Sequence, residues 1–284
     1  MNIGIAGLGL IGGSLALALR RAGHVVVGKN RSRAAAEYAL AHGVVDSISD
    51  DLSQCDVVFV ALPPAATIEY ICTAPFSPHT VVADICGVKQ PIERAVCARR
   101  PGIKYVGTHP MAGKEVSGVG NASADLFVGA SMVLTSNAVT DASAYALIRR
   151  LTADMGFARI VECSAEVHDK KIAYTSQLAH IVSNCYVKDE SLSGCLGFTG
   201  GSFQDMTRIA GVDENVWTEL YLLNGENLVK CVRSLADRLC AVADAVERGE
   251  PESLKSLLRE GRYRFEDERL NSFRGEGITV TPLK

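Results

Sequence analysis

The chain lacks any uninterrupted apolar run long enough to cross a bilayer, so ordinary membrane helices are not expected. It also lacks a charge excess: 29 Lys and Arg stand against 32 Asp and Glu, net −3, which suggests neither a nucleic-acid surface nor an acidic tail. Its nine cysteines are scattered, odd in number and contain no C-x-x-C pair. They support neither a disulfide framework nor a zinc site, and no metal is expected; most read as reduced, buried, small apolar residues. Repeats and low-complexity segments are missing as well. Met1 leads almost directly into the first strand-like run, so no signal peptide is expected and the location expected is cytoplasmic. What remains, 284 residues with 48% hydrophobic and 21% charged side chains, is an ordinary globular composition with length enough for two domains.

The first thirty residues organise the rest. An apolar run, Ile3-Gly4-Ile5-Ala6, enters Gly7-Leu8-Gly9-Leu10-Ile11-Gly12-Gly13, and the spacing predicts a helix from Ser14 to Ala22 and a second strand from His24 to Gly28. In a strand-turn-helix of this kind Gly7 permits the tight turn, Gly9 lets backbone approach a pyrophosphate, and Gly12 lets helix and strand pack closely. The N–H groups at the helix start and the positive dipole end then favour an anion. Gly7, Leu8, Gly9, Leu10, Ile11 and Gly12 are therefore the candidate cofactor contacts; a ligand-free turn is the alternative. The second strand runs into Gly28-Lys29-Asn30-Arg31-Ser32 without the acidic residue that usually takes the ribose hydroxyls of NAD. Asn30, Arg31 and Ser32 would instead accept a 2′-phosphate, which favours NADP over NAD, unless Lys29 and Arg31 are merely solvated charges.

Strand and helix patterns alternate onward. A helix is predicted over Arg33 to His42, a short strand over Val44 to Ile48, and a buried strand over Asp56 to Leu62 that stops at Pro63-Pro64. Leu62 and Pro63 fall where backbone would close over the cofactor. A helix from Ala65 to Thr73, a strand from Thr80 to Asp84 and a helix from Gln90 to Arg99 extend the alternation, which describes a Rossmann-like, doubly wound, mainly parallel sheet. Lys104 to Thr108 reads as a strand with His109-Pro110 behind it. Ligands of open parallel sheets bind outside the strands' carboxyl ends, so His109 is aimed at the region where a nicotinamide would meet its substrate, and its near-neutral pKa suits proton abstraction. A turn histidine bonded to nearby backbone is the alternative. Met111 to Leu126 has the length and composition of a lid or binding loop. Strands at Ala130 to Thr135 and Ala158 to Val161, flanking a helix from Ala142 to Met155, complete a dinucleotide-binding domain over residues 1–163.

From Ser164 strand patterns give way to helical spacing, so residues 164–284 are expected to form an all-helical substrate and dimerisation domain. One long helix is predicted from Ala165 to Lys188, with Ser176, Gln177 and His180 on it; Ser176 and His180, four apart, share a face. His180 is a substrate candidate or a satisfied core histidine. Arg208 stands among apolar neighbours, which suits a buried ion pair or a carboxylate clamp. Helices over Asp213 to Leu223, Asn224 to Glu247 and Pro251 to Arg269 follow, the middle one a good dimerisation element, and the tail from Asn271 to Lys284 has no legible role.

Four segments occur in order: Gly7-Leu8-Gly9-Leu10-Ile11-Gly12-Gly13-Ser14, Gly107-Thr108-His109-Pro110-Met111-Ala112-Gly113, Tyr174-Thr175-Ser176-Gln177-Leu178-Ala179-His180, and Phe203-Gln204-Asp205-Met206-Thr207-Arg208-Ile209-Ala210. Together they make the chain resemble the prephenate/arogenate dehydrogenases of tyrosine biosynthesis, from Met1 to about Leu270. The resemblance implies a homodimer intertwined through the helical domain. It also implies a cyclohexadienol substrate, prephenate or arogenate, oxidised by hydride transfer to NADP or NAD with loss of carbon dioxide. His109 then looks like the general base on the ring hydroxyl, His180 like a second active-site histidine, Arg208 like the group that binds a substrate carboxylate, and Ser176 and Gln177 like further substrate contacts. The chain departs from many relatives in two places. Their loop serine is replaced within Ile85-Cys86-Gly87-Val88-Lys89, where backbone, water or Cys86 would have to substitute, and Gln177 and Ala179 stand where histidine and proline are frequent. Neither an ACT domain nor a fused chorismate mutase is expected after Leu270. Prephenate and arogenate share the ring and are not separated by these residues; a reductase of β-hydroxy acids or imines and a non-catalytic dinucleotide sensor are the more distant readings.

Overall fold

The computed structural model describes residues 1–137, 139–271 and 275–283. β-branched runs build the centre of a sheet: β1 (Asn2–Ala6), β2 (Val25–Lys29), β3 (Ser47–Ile48), β4 (Val57–Val60), β5 (Val81–Asp84), β6 (Lys104–Pro110), β7 (Ser131–Thr135), β8 (Arg159–Cys163) and β9 (Thr279–Pro282). They lie in the order β3-β2-β1-β4-β5-β6-β7-β8-β9. Pairing is parallel from β3 through β6 and again between β7 and β8, and antiparallel at β6/β7 and β8/β9. The side chains sort by the two-residue period of a strand. Ile3, Ile5, Val57, Phe59, Val81 and Ala83 enter the core on one face, and Ala6, Val58, Val60 and Val82 enter the core on the other. Both faces are covered, as a parallel sheet requires. On the first, α1 (Leu10–Arg21) and α5 (Ala142–Asp154) contribute Leu15, Leu19, Ile148 and Leu151; on the second, α3 (Pro64–Thr73) and α4 (Gln90–Arg99) contribute Ile71, Ile92 and Val96. α2 (Arg33–Ala41) follows β2 and is capped by Ser32, whose hydroxyl accepts from the Ala35 N–H at 3.3 Å.

Two local readings of the sequence shift here. α1 starts at Leu10 rather than Ser14: the turn is finished within Gly7 to Gly9, and Gly12 and Gly13 already belong to the helix. Of the strand expected over Val44 to Ile48 only Ser47–Ile48 pairs, because Val44 and Val45 are drawn into the core below α2. The loop after β6 is also less free than its composition suggests. Val119 and Phe127 are buried, and the Ser123 N–H donates to Ser14 Oγ at 3.0 Å, so its second half is packed on α1.

After β8 the chain becomes helical: α6 (Ala165–Ile172), α7 (Leu178–Tyr186), α8 (Gly201–Thr207), α9 (Glu214–Leu223), α10 (Gly225–Glu247) and α11 (Pro251–Leu270). The single helix expected from Ala165 to Lys188 is interrupted by a π turn over Ala173–Gln177, a distortion that re-aims side chains and is frequent at functional sites. No helix among the described residues is long and apolar enough to cross a membrane. α10 and α11 leave Leu239, Val246, Leu258 and Phe265 exposed, an apolar surface that a lone chain does not cover.

The tail departs most from the reading by sequence. Residues 272–274 and 284 lie outside the described residues, but Thr279–Pro282 forms β9 on the edge of β8, so the last residues belong to the first sheet rather than to a helical unit running to residue 284. The Leu283 N–H donates to the Ala158 carbonyl at 2.8 Å and its side chain packs on the sheet's core. An alternating Thr-Val-Thr segment fits a sheet edge, and pairing blunts an otherwise open strand. Deleting residues 275–284 is expected to lower Tm, by about 2–4 °C for each kcal/mol lost, and to promote self-association through bare β8. Calorimetry with light scattering measures both, and an unchanged Tm would show that β9 contributes nothing.

Candidate active site

The glycine turn sits at the carboxyl edge of the sheet, and each glycine has its own constraint. Gly7 has φ +101°, and a Cβ there would lie 2.2 Å from the Ala61 carbonyl oxygen. A Cβ on Gly12 would lie 1.9 Å from the Gly7 oxygen, so that position is fixed by the close passage of helix and turn. Gly9 is different: nothing lies within 4 Å of where its Cβ would be. Packing does not require this glycine, whereas a ligand lying against the backbone would. No side chain caps α1, which leaves the N–H groups of its first turn to a ligand. Leu62 borders Gly7, and Pro63 stands exposed at the start of α3.

At the end of β2 the three residues read as phosphate contacts take separate tasks. Asn30 braces the turn, its Oδ1 accepting from the Leu8 N–H at 3.0 Å and its Nδ2 donating to the Ser32 carbonyl at 3.1 Å. Ser32 caps α2. Arg31 is exposed and makes no ion pair among the described residues. Lys29, beside it, turns to the Asp50 carbonyl instead.

His109 lies within the last residues of β6, opposite Val133 of β7, and is half-buried. Its Nδ1 is 2.9 Å from Nε2 of His168 on α6, and His168 Nδ1 is 2.7 Å from Asp169 Oδ1. Both oxygens of Asp169 also accept backbone donors at the start of α4: Lys89 N at 2.7 Å on Oδ1 and Gln90 N at 2.9 Å on Oδ2. Beneath this chain the Lys89 ammonium, with no exposure, pairs with the equally buried Asp84 and donates to the Thr108 carbonyl at 2.7 Å. Asp84 further accepts from Tyr105 Oη at 2.6 Å and the Cys86 N–H at 2.9 Å. Burial, then His168 and the Lys89 ammonium, hold the His109 imidazole well below the ordinary 6.5. Burial lowers His168 too, against the pull of its hydrogen bond to Asp169. Both rings are therefore neutral at neutral pH.

Gly87 faces this histidine. A Cβ there would be 3.8 Å from His109 Cε1, 3.9 Å from Nε2 and 3.5 Å from a Leu220 methyl, ordinary contacts that leave room for a small group. Cys86 does not fill the place of the missing serine. Its Sγ turns inward to the Leu62 carbonyl and Thr67 Oγ1, and burial raises the thiol to about 12.

The helical residues form the opposite wall through α9. Glu219 accepts from the Ala65 N–H, which seats α9 on the first turn of α3. His180 packs on Trp217, tilted, at a centroid distance of 4.0 Å and donates from Nδ1 to the Ser176 carbonyl at 3.0 Å, and its Nε2 has no hydrogen-bond partner among the described residues. Ser176 is half-buried and serves that bond through its backbone. Gln177 does not offer its amide to an open site. It is buried, accepts from Asn224 Nδ2 at 2.8 Å and donates to the Leu220 carbonyl at 3.3 Å. Arg208 is not the buried cation its neighbours suggested: its side chain is 63% exposed and pairs with Glu115, in the loop after β6. The sequence reading passed over His168, Asp169, Lys89 and Asp84. The signal was the His168-Asp169 pair one turn inside a helix begun by Ser164, but only the fold brings that turn to His109 and α4.

A nucleotide turn at one strand end, a neutral histidine at another and a helical wall bearing a free imidazole and an exposed guanidinium define a two-domain, nucleotide-dependent oxidoreductase. Residues 15–162 match the model of the prephenate dehydrogenase nucleotide-binding domain and residues 164–260 that of the prephenate dehydrogenase dimerization domain. The chain belongs to the prephenate dehydrogenase family. It is 30% identical to prephenate dehydrogenase of Bacillus subtilis (strain 168) over 265 residues, 88% of this chain and 71% of that protein. It is 31% identical to cyclohexadienyl dehydrogenase of Zymomonas mobilis over 245 residues, 80% of this chain and 82% of the other. The crystal structure of A. aeolicus prephenate dehydrogenase in complex with hydroxyphenyl propionate and NAD+ superposes with TM-score 0.84 at 27% identity, covering 94% of this chain and 98% of that one.

The glycines give a paired test. Gly9→Ala is expected to keep the wild-type Tm and weaken dinucleotide binding, whereas Gly12→Ala is expected to lower Tm through its clash with Gly7. Melting curves and a dinucleotide fluorescence titration separate the two, and full-affinity binding by Gly9→Ala would remove the turn from the cofactor site.

Proposed function

We propose that the chain is a prephenate dehydrogenase that oxidatively decarboxylates prephenate to 4-hydroxyphenylpyruvate with a nicotinamide dinucleotide, as a homodimer joined through its helical part. The observation that supports this reading most is the neutral His109, held from behind by His168 and facing the open space beside Gly87, in the same sheet as the glycine turn. When bound, the dinucleotide supplies the hydride acceptor. His109 Nε2 takes the proton of the ring hydroxyl, a transfer a neutral imidazole performs within about 3 Å of the oxygen. Arg208, exposed and oriented by Glu115, binds a substrate carboxylate that competes with Glu115 for its planar fork. His180, fixed by Trp217 and Ser176, presents its bare Nε2 to a donor on the substrate. Gln177 holds the π turn against α9 and α10, and its part is positioning.

NADP remains the favoured dinucleotide, now on Arg31 alone, since no carboxylate closes β2 and Asn30 and Ser32 are engaged elsewhere. The solved A. aeolicus relative holds NAD+. A relative named for cyclohexadienyl oxidation keeps arogenate as the second substrate to test. Purified protein assayed with prephenate and arogenate, each against NAD and NADP, is expected to reduce NADP fastest with prephenate; turnover of neither substrate would overturn the reading. The pH dependence has a definite sign. His109 must be neutral to accept a proton, so kcat/KM holds above its pKa and falls as pH drops through it, and the lowered value places that limb below the ordinary 6.5. The groups that act on His109 and His168 are the Lys89 cation with its Asp84 partner, and Asp169. A limb above that value would contradict the assignment.

A further inference from the structure

We propose that His168 and Asp169 are positioning residues that fix the reactive tautomer of His109 through two imidazoles in series; this deepens the reading of His109 as the base and rests on it. The two oxygens of Asp169 accept three N–H donors, from Lys89, Gln90 and His168, which suits a carboxylate that is acceptor-only at both oxygens. The two backbone donors sit at the N-terminus of α4, which has no side-chain cap from its own N-cap residue, so Asp169 serves that helix end as an acceptor. His168 must then carry its proton on Nδ1 to donate at 2.7 Å. Both rings being neutral, His168 Nε2 is a bare acceptor, and the 2.9 Å contact requires the proton on His109 Nδ1. That leaves His109 Nε2 unprotonated, and Nε2 is a ring atom near which a Cβ on Gly87 would sit, at 3.9 Å. A carboxylate two rings away thus selects which nitrogen meets the substrate.

The arrangement also joins the two parts of the chain. His109 stands on β6, whereas His168 and Asp169 belong to α6, the first helix after the sheet. Asp169 is anchored further by Asn224, whose Nδ2 donates to the Asp169 carbonyl at 2.8 Å while reaching Gln177. The base acquires its working tautomer only when α6 is docked against α4, so helical packing and proton abstraction are coupled.

The test reads tautomers directly. The chain has six histidines, few enough for 15N-detected imidazole spectra to be assigned by single substitutions. Wild-type protein without substrate is expected to give the Nδ1–H tautomer for His109. His168→Leu removes the acceptor: the His109 signals are expected to move to the Nε2–H tautomer or to an average of the two, and kcat/KM for prephenate to fall by about a hundredfold or more, the usual size of general-base catalysis. His168→Gln is the rescue, because its amide N–H can face Asp169 while its carbonyl faces His109; it is expected to retain the Nδ1–H signature and recover at least tenfold of the loss. Melting curves of the two variants exclude a trivial loss of fold. A His109 that is Nε2–H in the wild type, or one that stays Nδ1–H in His168→Leu with wild-type kcat/KM, overturns the proposal. Because the spectra need no substrate, a wild-type protein inactive on prephenate would sink the functional reading while leaving the tautomer chain tested on its own.

Discussion

The carboxylate of Asp169 stands between the two parts of the chain and faces donors from both. From the sheet side it receives the first backbone N–H groups of α4; from its own helix it receives His168, and behind it Asn224 ties its carbonyl to the start of α10. It is 2% exposed, and such a charge is tolerated in the interior only when its lone pairs are met, as they are here. A second buried charge pair, Lys89 with Asp84, lies one step further in and is closed by Tyr105 and Thr108. Removing one member of such a pair strands the other, so the two networks fix the strand ends and the helix start against each other. His109 is held by them through His168, and its neutrality comes first from burial, with His168 and the Lys89 charge adding to it.

The same geometry explains how the chain dispenses with a side chain at position 87. Gly87 opens space beside the imidazole instead of filling it, and Cys86, the nearest reactive group in sequence, is turned into the interior with a thiol too basic to ionise at neutral pH. The groups nearest to that space are the His109 ring and a Leu220 methyl of α9.

Much of the frame was legible because it rests on local rules. The glycine turn, the β-branched strands and the placement of His109 at a strand end follow from period, turn chemistry and the geometry of parallel sheets. What escaped depends on contacts distant in sequence. The π turn at Ala173–Gln177 is held through Gln177 and Asn224, 47 residues apart, so a single helix was the natural reading of that stretch. β9 exists only because β8 offers an edge, which its own four residues cannot announce. Arg208 looked buried from its neighbours, yet it lies at the end of a short helix where Glu115 reaches it across 93 residues. His168 and Asp169 became meaningful only when the fold brought α6 to β6 and α4, 59 and 80 residues away in the chain. Asn30 shows the converse: its place at the end of β2 suggested a ligand contact, and the structure uses it to brace the turn.

In the proposed reaction the bare Nε2 of His109 receives the proton of the ring hydroxyl. The most direct measurement is a crystal structure of this chain with NADP and the product-like ligand hydroxyphenyl propionate. The account predicts the phenolic oxygen within about 3 Å of His109 Nε2, the usual reach of a general base, with the ligand carboxylate on Arg208 in place of Glu115. A phenolic oxygen bound away from His109, or a His109 whose Nε2 is taken by a protein group in the complex, would contradict it.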